Sequence, residues 1–164
     1  MSQASQDKAR TEELPEAADT PRPAPQGEGE TLDGKATALA IAGAALDKKA
    51  LHIEVIDLRG IVDYADYVVV ASGRSDRQVN AIAKGIEDDL KREHGLRCLG
   101  VEGLPQGRWV LMDYSDVIVH IFHQDTRGYY DLESLWIDAA RVDLTLPGRE
   151  DELAEANRPF PFEE

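Results

Sequence analysis

Residues 109–136 read WVLMDYSDVIVHIFHQDTRGYYDLESLW. Two apolar, β-branched runs flank the polar turn Asp113-Tyr114-Ser115-Asp116. Such runs about a short polar turn predict a β-hairpin with strands at Trp109–Met112 and Val117–Phe122. A loop then leads past Tyr129 and Tyr130 to a final helix, which Asp131 is placed to cap and which runs through Trp136 to Ala140. The segment holds both tryptophans and three of the five tyrosines of the chain. Aromatic side chains beside fixed charges are the materials of a protein-binding surface.

The segments before the hairpin supply the rest of the sheet and its helices. Leu32 to Lys49 predicts an alanine-rich helix with Leu39, Ala42 and Leu46 on one face. His52 to Leu58 alternates as a strand. Tyr67-Val68-Val69-Val70-Ala71 is apolar on both faces and therefore predicts an inner strand. Ser72-Gly73-Arg74 turns out of it, and Ser75 with Gln78 forms a capping box. The helix that follows carries Val79, Ile82, Ala83, Ile86 and Leu90 on one face and stops at Gly95. Cys98 to Val101 is a short strand. The order of elements predicts an α/β or α+β domain, a mixed sheet of about five strands with helices packed on it.

The domain is expected between residues 32 and 146. Residues 1–31 are rich in Pro, Glu and Ala, with TPRPAPQGEGE as the clearest stretch. Too little apolar surface is present there to offset chain entropy, so this acidic tail is expected to be disordered. Residues 147–164 look similar and are expected to be a flexible acidic tail, with Phe160 and Phe162 available to dock locally.

The net charge of −14 makes the chain poorly suited to gripping DNA or RNA phosphates. It suits a basic protein partner better, although acidity also serves plain solubility. Cys98 is the only cysteine, so no intramolecular disulfide can form and nothing points to an oxidising compartment. Its place at the edge of a strand favours a structural role. The N-terminal residues do not read as a signal peptide, and no apolar run reaches membrane-spanning length. A cytoplasmic protein is the expectation.

Few residues offer chemistry. Ser72-Gly73-Arg74-Ser75 stands between strand and helix, where backbone N–H groups can hold phosphate. The glycine-rich phosphate motifs are missing, and ordinary turn chemistry explains the same residues. Nucleotidyl transfer needs converging carboxylates for metal ions. The candidates are Asp113 with Asp116 and, further, Asp63 with Asp66; Asp113 and Asp116 sit in a turn, not side by side on one strand face. His120 and His123 fall on opposite faces of a strand, so a hydrogen-bonded, half-buried His120 is favoured over a metal ligand. No metal, no cofactor and no catalytic residue is expected. A nucleotide-binding or nucleotidyltransferase-like enzyme stays as the alternative.

Three longer segments carry a family resemblance. Residues 66–79, DYVVVASGRSDRQV, resemble the first signature of the ribosomal silencing factor family (RsfS, or Iojap). Gly100 to Gly103 together with Trp109 to Phe122 resemble the second, and Arg127 to Trp136 the third. Ser115 stands where the family often has glycine, which leaves the type of that turn open. The resemblance implies a small mixed-sheet fold shaped like a nucleotidyltransferase but without its catalytic motifs. It implies binding to the large ribosomal subunit through large-subunit ribosomal protein fourteen, which blocks subunit joining by bulk and lowers translation when nutrients are scarce. Organellar relatives act in large-subunit assembly, so that role stays open here, as does a homodimer. Direct rRNA contact is expected to be slight. The residues expected at the contact are Trp109, Val110, Asp113, Tyr114 and Asp116 in the hairpin, with Tyr130, Glu133 and Trp136 beside them. Trp136 fits core packing equally well, and Glu102 and Arg127 fit structural roles in turns.

Overall fold

The strand read as apolar on both faces, β2 (Tyr67–Gly73), is buried at every position. A computed structural model, which describes residues 32–159, shows why. In it β2 lies between β1 (Leu51–Asp57) and β5 (Val117–His123), with β4 (Trp109–Asp113) and β3 (Gly100–Glu102) continuing the sheet beyond β5. The strand order is β1-β2-β5-β4-β3. β2 and β5 run parallel and the other pairs antiparallel, so this is a five-stranded mixed sheet. The predicted tail over residues 1–31, and Phe160 to Glu164, lie outside the described residues.

Alternation along the strands divides the core in two. Val55, Val69, Val110, Met112, Val119 and Ile121 face α1 (Gly34–Asp47) and α2 (Asp76–His94). Ile56, Val68, Val70 and Phe122 face the other way and pack against Trp136 and Ala139. Neighbouring strand residues thus serve separate clusters.

The helices start and stop where local chemistry directs. The Asp33 carboxylate accepts the Ala36 N–H at 2.7 Å. Ser75 Oγ accepts the Gln78 N–H at 3.0 Å. The Gln78 side chain does not complete the box at Ser75: its Oε1 accepts the Arg74 N–H, and its Nε2 donates to the Lys48 and Lys49 carbonyls. It therefore ties the end of α1 to the start of α2. Gly95 closes α2 in the left-handed conformation, φ 67°, which glycine adopts without a Cβ clash. In α1, Leu39 is only half-buried, whereas Ala38, Ile41, Ala42, Ala45 and Leu46 are essentially inaccessible. A helix packed on a sheet, on α2 and on a further helix needs apolar residues around most of its circumference.

That further helix corrects the domain limits. Residues 147–164 were expected to form a flexible tail, but α4 (Glu150–Ala156) packs on α1 and β1. Arg149 holds it there, with Nη2 2.7 Å from Asp47 and Nε 2.9 Å from Glu152. Acidic residues in its first turn favour the helix through its dipole. Asn157 then accepts the Ile53 N–H at 2.8 Å and donates to the Ile53 carbonyl at 3.0 Å. Further along β1, Val142 N donates to Val55 O and Asp57 N to Ala140 O. The outer edge of β1 is covered, as an edge strand needs.

Candidate functional site

Strand pairing places Trp109 opposite Phe122 and Asp113 opposite Ile118. Trp109 thus lies at the open end of the hairpin and Asp113 at its turn, ~13 Å apart at the rise of an extended strand.

At the open end an aromatic ledge runs from core to surface. The Trp109 ring lies 4.9 Å from Phe122 and 4.7 Å from Tyr130, and Tyr130 meets Tyr129 edge-on at 5.0 Å. Phe122 is buried, Tyr130 is 51% exposed and Tyr129 82% exposed. Trp109 Nε1 donates to His120 Nδ1 at 2.9 Å. This bond requires an unprotonated Nδ1, so the ring is neutral. Burial pushes the His120 pKa down to about 4, opposed only by nearby Glu133. His120 is the hydrogen-bonded histidine the sequence suggested, more deeply buried than expected at 7% exposure.

Tyr129 and Tyr130 stand on α3 (Gln124–Tyr130), in a stretch read from the sequence as a loop. His123 Nδ1 caps this helix by accepting the Asp125 N–H. Arg127 anchors it. Its Nη1 donates to His52 O at 2.6 Å and Ser72 Oγ at 2.9 Å, and its Nε donates to Glu133 Oε2 at 2.7 Å. One guanidinium thereby joins α3, the following 3-10 turn (Leu132–Trp136), β1 and β2. Asp131 does not cap a helix through to Ala140. It sits at φ 47° between α3 and the 3-10 turn, its carboxylate accepting the Ser134 hydroxyl.

At the other end, Asp113 Oδ1 accepts the Ser115 N–H at 2.8 Å, and Ser115 takes φ 74°. The turn is thus one that glycine would fit without strain. The Asp116 carbonyl accepts the Asp66 and Tyr67 N–H groups, fastening the turn to the start of β2. Gly103 is set by close packing: at φ 100°, an added Cβ would lie 2.1 Å from the Trp109 carbonyl oxygen.

The expected contact set therefore divides. Trp109, Tyr130, Asp113 and Asp116 retain partial or full exposure. Val110 does not: it is fully buried beneath the helices. Alternation already puts it on the face opposite Trp109, which was the available signal. Tyr114 is 7% exposed in the same core. Burial, with the Cys98 thiol beside it, raises its phenol above the usual range. Trp136 is 7% exposed and packs with Ile56, Leu58, Val68 and Val70, so its core reading holds. Glu133 is engaged by Arg127 inside the fold. Val110, Tyr114 and Trp136 are thus packed in the core, and Glu133 is paired within the fold. Tyr129, absent from the expected set, is the most exposed aromatic among the described residues.

The strand-to-helix turn after β2 uses its two serine hydroxyls internally. Ser72 accepts from Arg127, and Ser75 caps α2. Cys98 Sγ donates to Gly100 O, and burial raises the thiol pKa. Among the described residues no group of three His, Cys, Asp or Glu side chains is placed to hold a metal ion, and no helix is long and apolar enough to cross a membrane.

Residues 31–161 match the family model described as "Ribosomal silencing factor during starvation". The chain is similar to the ribosomal silencing factor RsfS of Bacillus subtilis, 49% identical over 107 residues that make up 65% of this chain and 90% of the relative. It is also similar to the mitochondrial Iojap-related protein of Arabidopsis thaliana, 34% identical over 55% of this chain and 50% of that one. Among solved structures, a Chromobacterium violaceum protein superposes with a TM-score of 0.63 at 31% identity, covering 70% of this chain and 94% of the other. A Bacillus halodurans protein gives 0.57 at 38% identity, covering 64% and 94%.

Proposed function

Because the chain belongs to the ribosomal silencing factor family, we propose that it is a non-catalytic translation repressor of the cytoplasm that binds the large ribosomal subunit. The contact is large-subunit ribosomal protein fourteen, and bulk at that position prevents subunit joining. The observation that carries the reading is the family match over all the described residues, with relatives that bear the name of ribosomal silencing factors.

The aromatic ledge supports a contact made by Trp109, Tyr129 and Tyr130. Large rigid rings held by a scaffold bury area on binding at small entropic cost. The Arg127 anchor and the Trp109–His120 bond supply that rigidity. Asp113 and Asp116, ~13 Å along the hairpin, fit under the same partner, since a standard interface covers about 800 Å² per side. The excess of acidic residues suits a basic partner and speeds encounter.

Sucrose-gradient sedimentation of lysate tests the reading. The protein should travel with free large subunits. Sedimentation with joined ribosomes and none with free large subunits would overturn it.

A further inference from the structure

The rings of the ledge form one side of an open pocket of about 440 Å³, lined by Arg108, Trp109, Asp125, Thr126, Tyr129 and Tyr130. Asp125 and Tyr129 stand four positions apart on α3, as do Thr126 and Tyr130. Residues so spaced are neighbours on one face of a helix. Trp109 meets them from β4, its ring 4.7 Å from Tyr130. A carboxylate and aromatic rings thus border the same space.

The charges around this pocket do not balance. Arg108 Nη1 lies 3.3 Å from Asp76 Oδ1, so that guanidinium already has its counter-charge. The one basic atom within ion-pair distance of Asp125 among the described residues is His123 Nδ1, at 3.8 Å. That nitrogen accepts the Asp125 N–H, so it carries no proton and supplies no positive charge. The Asp125 side chain is 78% exposed. Among the described residues the cation–ring contact is Arg59 over Tyr67, on β2, and no cation sits over the ledge rings.

The face of an aromatic ring is electronegative, and a carboxylate beside it adds a full charge. The two together favour a cation over an anion or a neutral group. A lysine or arginine side chain suits both, because its apolar stem lies along a ring while its head reaches the carboxylate. Asp113 and Asp116 are at the far end of the hairpin, so Asp125 is a separate point of charge.

We propose that this pocket receives one lysine or arginine side chain of the basic protein partner, with Asp125 as its counter-ion and Tyr129 as its ring face. The inference rests on the large-subunit binding proposed above and names the group that the ledge selects.

Large subunits are pelleted with the full chain and with four variants over a range of salt concentrations. Asp88, Asp125 and Tyr129 are exposed, so all four variants should unfold at the parent's midpoint. Asp125→Asn nearly keeps the shape and should weaken binding about tenfold, with a flatter dependence on salt. Tyr129→Leu keeps an apolar side chain without a ring and should weaken it about fivefold, whereas Tyr129→Phe keeps the ring and should bind like the parent. Asp88→Asn takes the same charge from α2 and should also bind like the parent. Parent-like binding by Asp125→Asn would overturn the proposal and leave the ribosomal reading standing. Equal losses from Asp125→Asn and Asp88→Asn would overturn it too, because net acidity alone would then act. So would a Tyr129→Phe variant as weak as Tyr129→Leu, which would assign the hydroxyl in place of the ring. A parent that does not pellet with large subunits would instead remove the reading beneath it, and the proposal with it.

Discussion

His120 makes stability depend on pH in a defined window. Its folded pKa is about 4, set by burial, against an ordinary 6.5. Above pH 6.5 the ring is neutral in both folded and unfolded chains, and the native state has its full stability. Between 6.5 and 4 the unfolded chain takes up a proton that the native state refuses, so stability falls as pH falls. Below about 4 both states are protonated, and this loss is complete. One pKa unit corresponds to ~1.4 kcal/mol, so the whole window is worth on the order of 3 kcal/mol, and the step from pH 7.5 to pH 5 about 2 kcal/mol. The perturbation is His120→Asn. An amide oxygen can stand near the position of Nδ1 and still accept from Trp109, but it does not titrate. Urea unfolding of both proteins at pH 7.5 and pH 5 is the assay. Other groups titrate equally in the two chains, so the parent should lose about 2 kcal/mol more than the variant. Equal losses would refute the buried, neutral histidine and the donor role of Trp109 toward it.

The remaining expectations concern the surface and the turn. Replacing Tyr129 and Tyr130 together by Ser should leave the unfolding midpoint nearly unchanged, since both are at least half exposed. It should weaken large-subunit binding by about 2 kcal/mol or more in pelleting assays, as loss of aromatic anchors does; undiminished binding would place the contact elsewhere. Asp113→Asn with Asp116→Asn retains an acceptor for the Ser115 N–H. The double variant should fold and lose about 2 to 5 kcal/mol of binding if the carboxylates meet buried cations, read as subunit joining that resumes in its presence. Ser115→Gly relieves φ 74° and should raise stability by up to about 1 kcal/mol, seen as a higher thermal midpoint.

Local chemistry made much of this protein legible in one dimension. Ser75 and Gly95 mark the ends of α2 because a cap needs only a hydroxyl or a missing Cβ near the backbone it serves. The hairpin is legible for a similar reason: alternation and a polar turn specify both strands and the face each residue takes. Alternation alone separates Val110 from Trp109. The stretch 124–130 was different. Gly128 and Thr126 are weak helix formers, and the helix is held by Arg127 bonding to Ser72 and His52, which lie 55 and 75 positions away. Likewise, α4 exists through Arg149 and its bond to Asp47, which an acidic sequence after Pro147 and Gly148 does not announce. Trp136 and Tyr114 read equally as anchors or core because an aromatic ring serves both. Their burial depended on Ile56, Leu58 and Val68 on one side of the sheet and on α2 and Cys98 on the other. Periodicity and capping follow from the backbone's own geometry and are written into neighbouring residues. Which face stays open, and which charge is already paired, follow from packing between distant segments, and only the tertiary structure decided them.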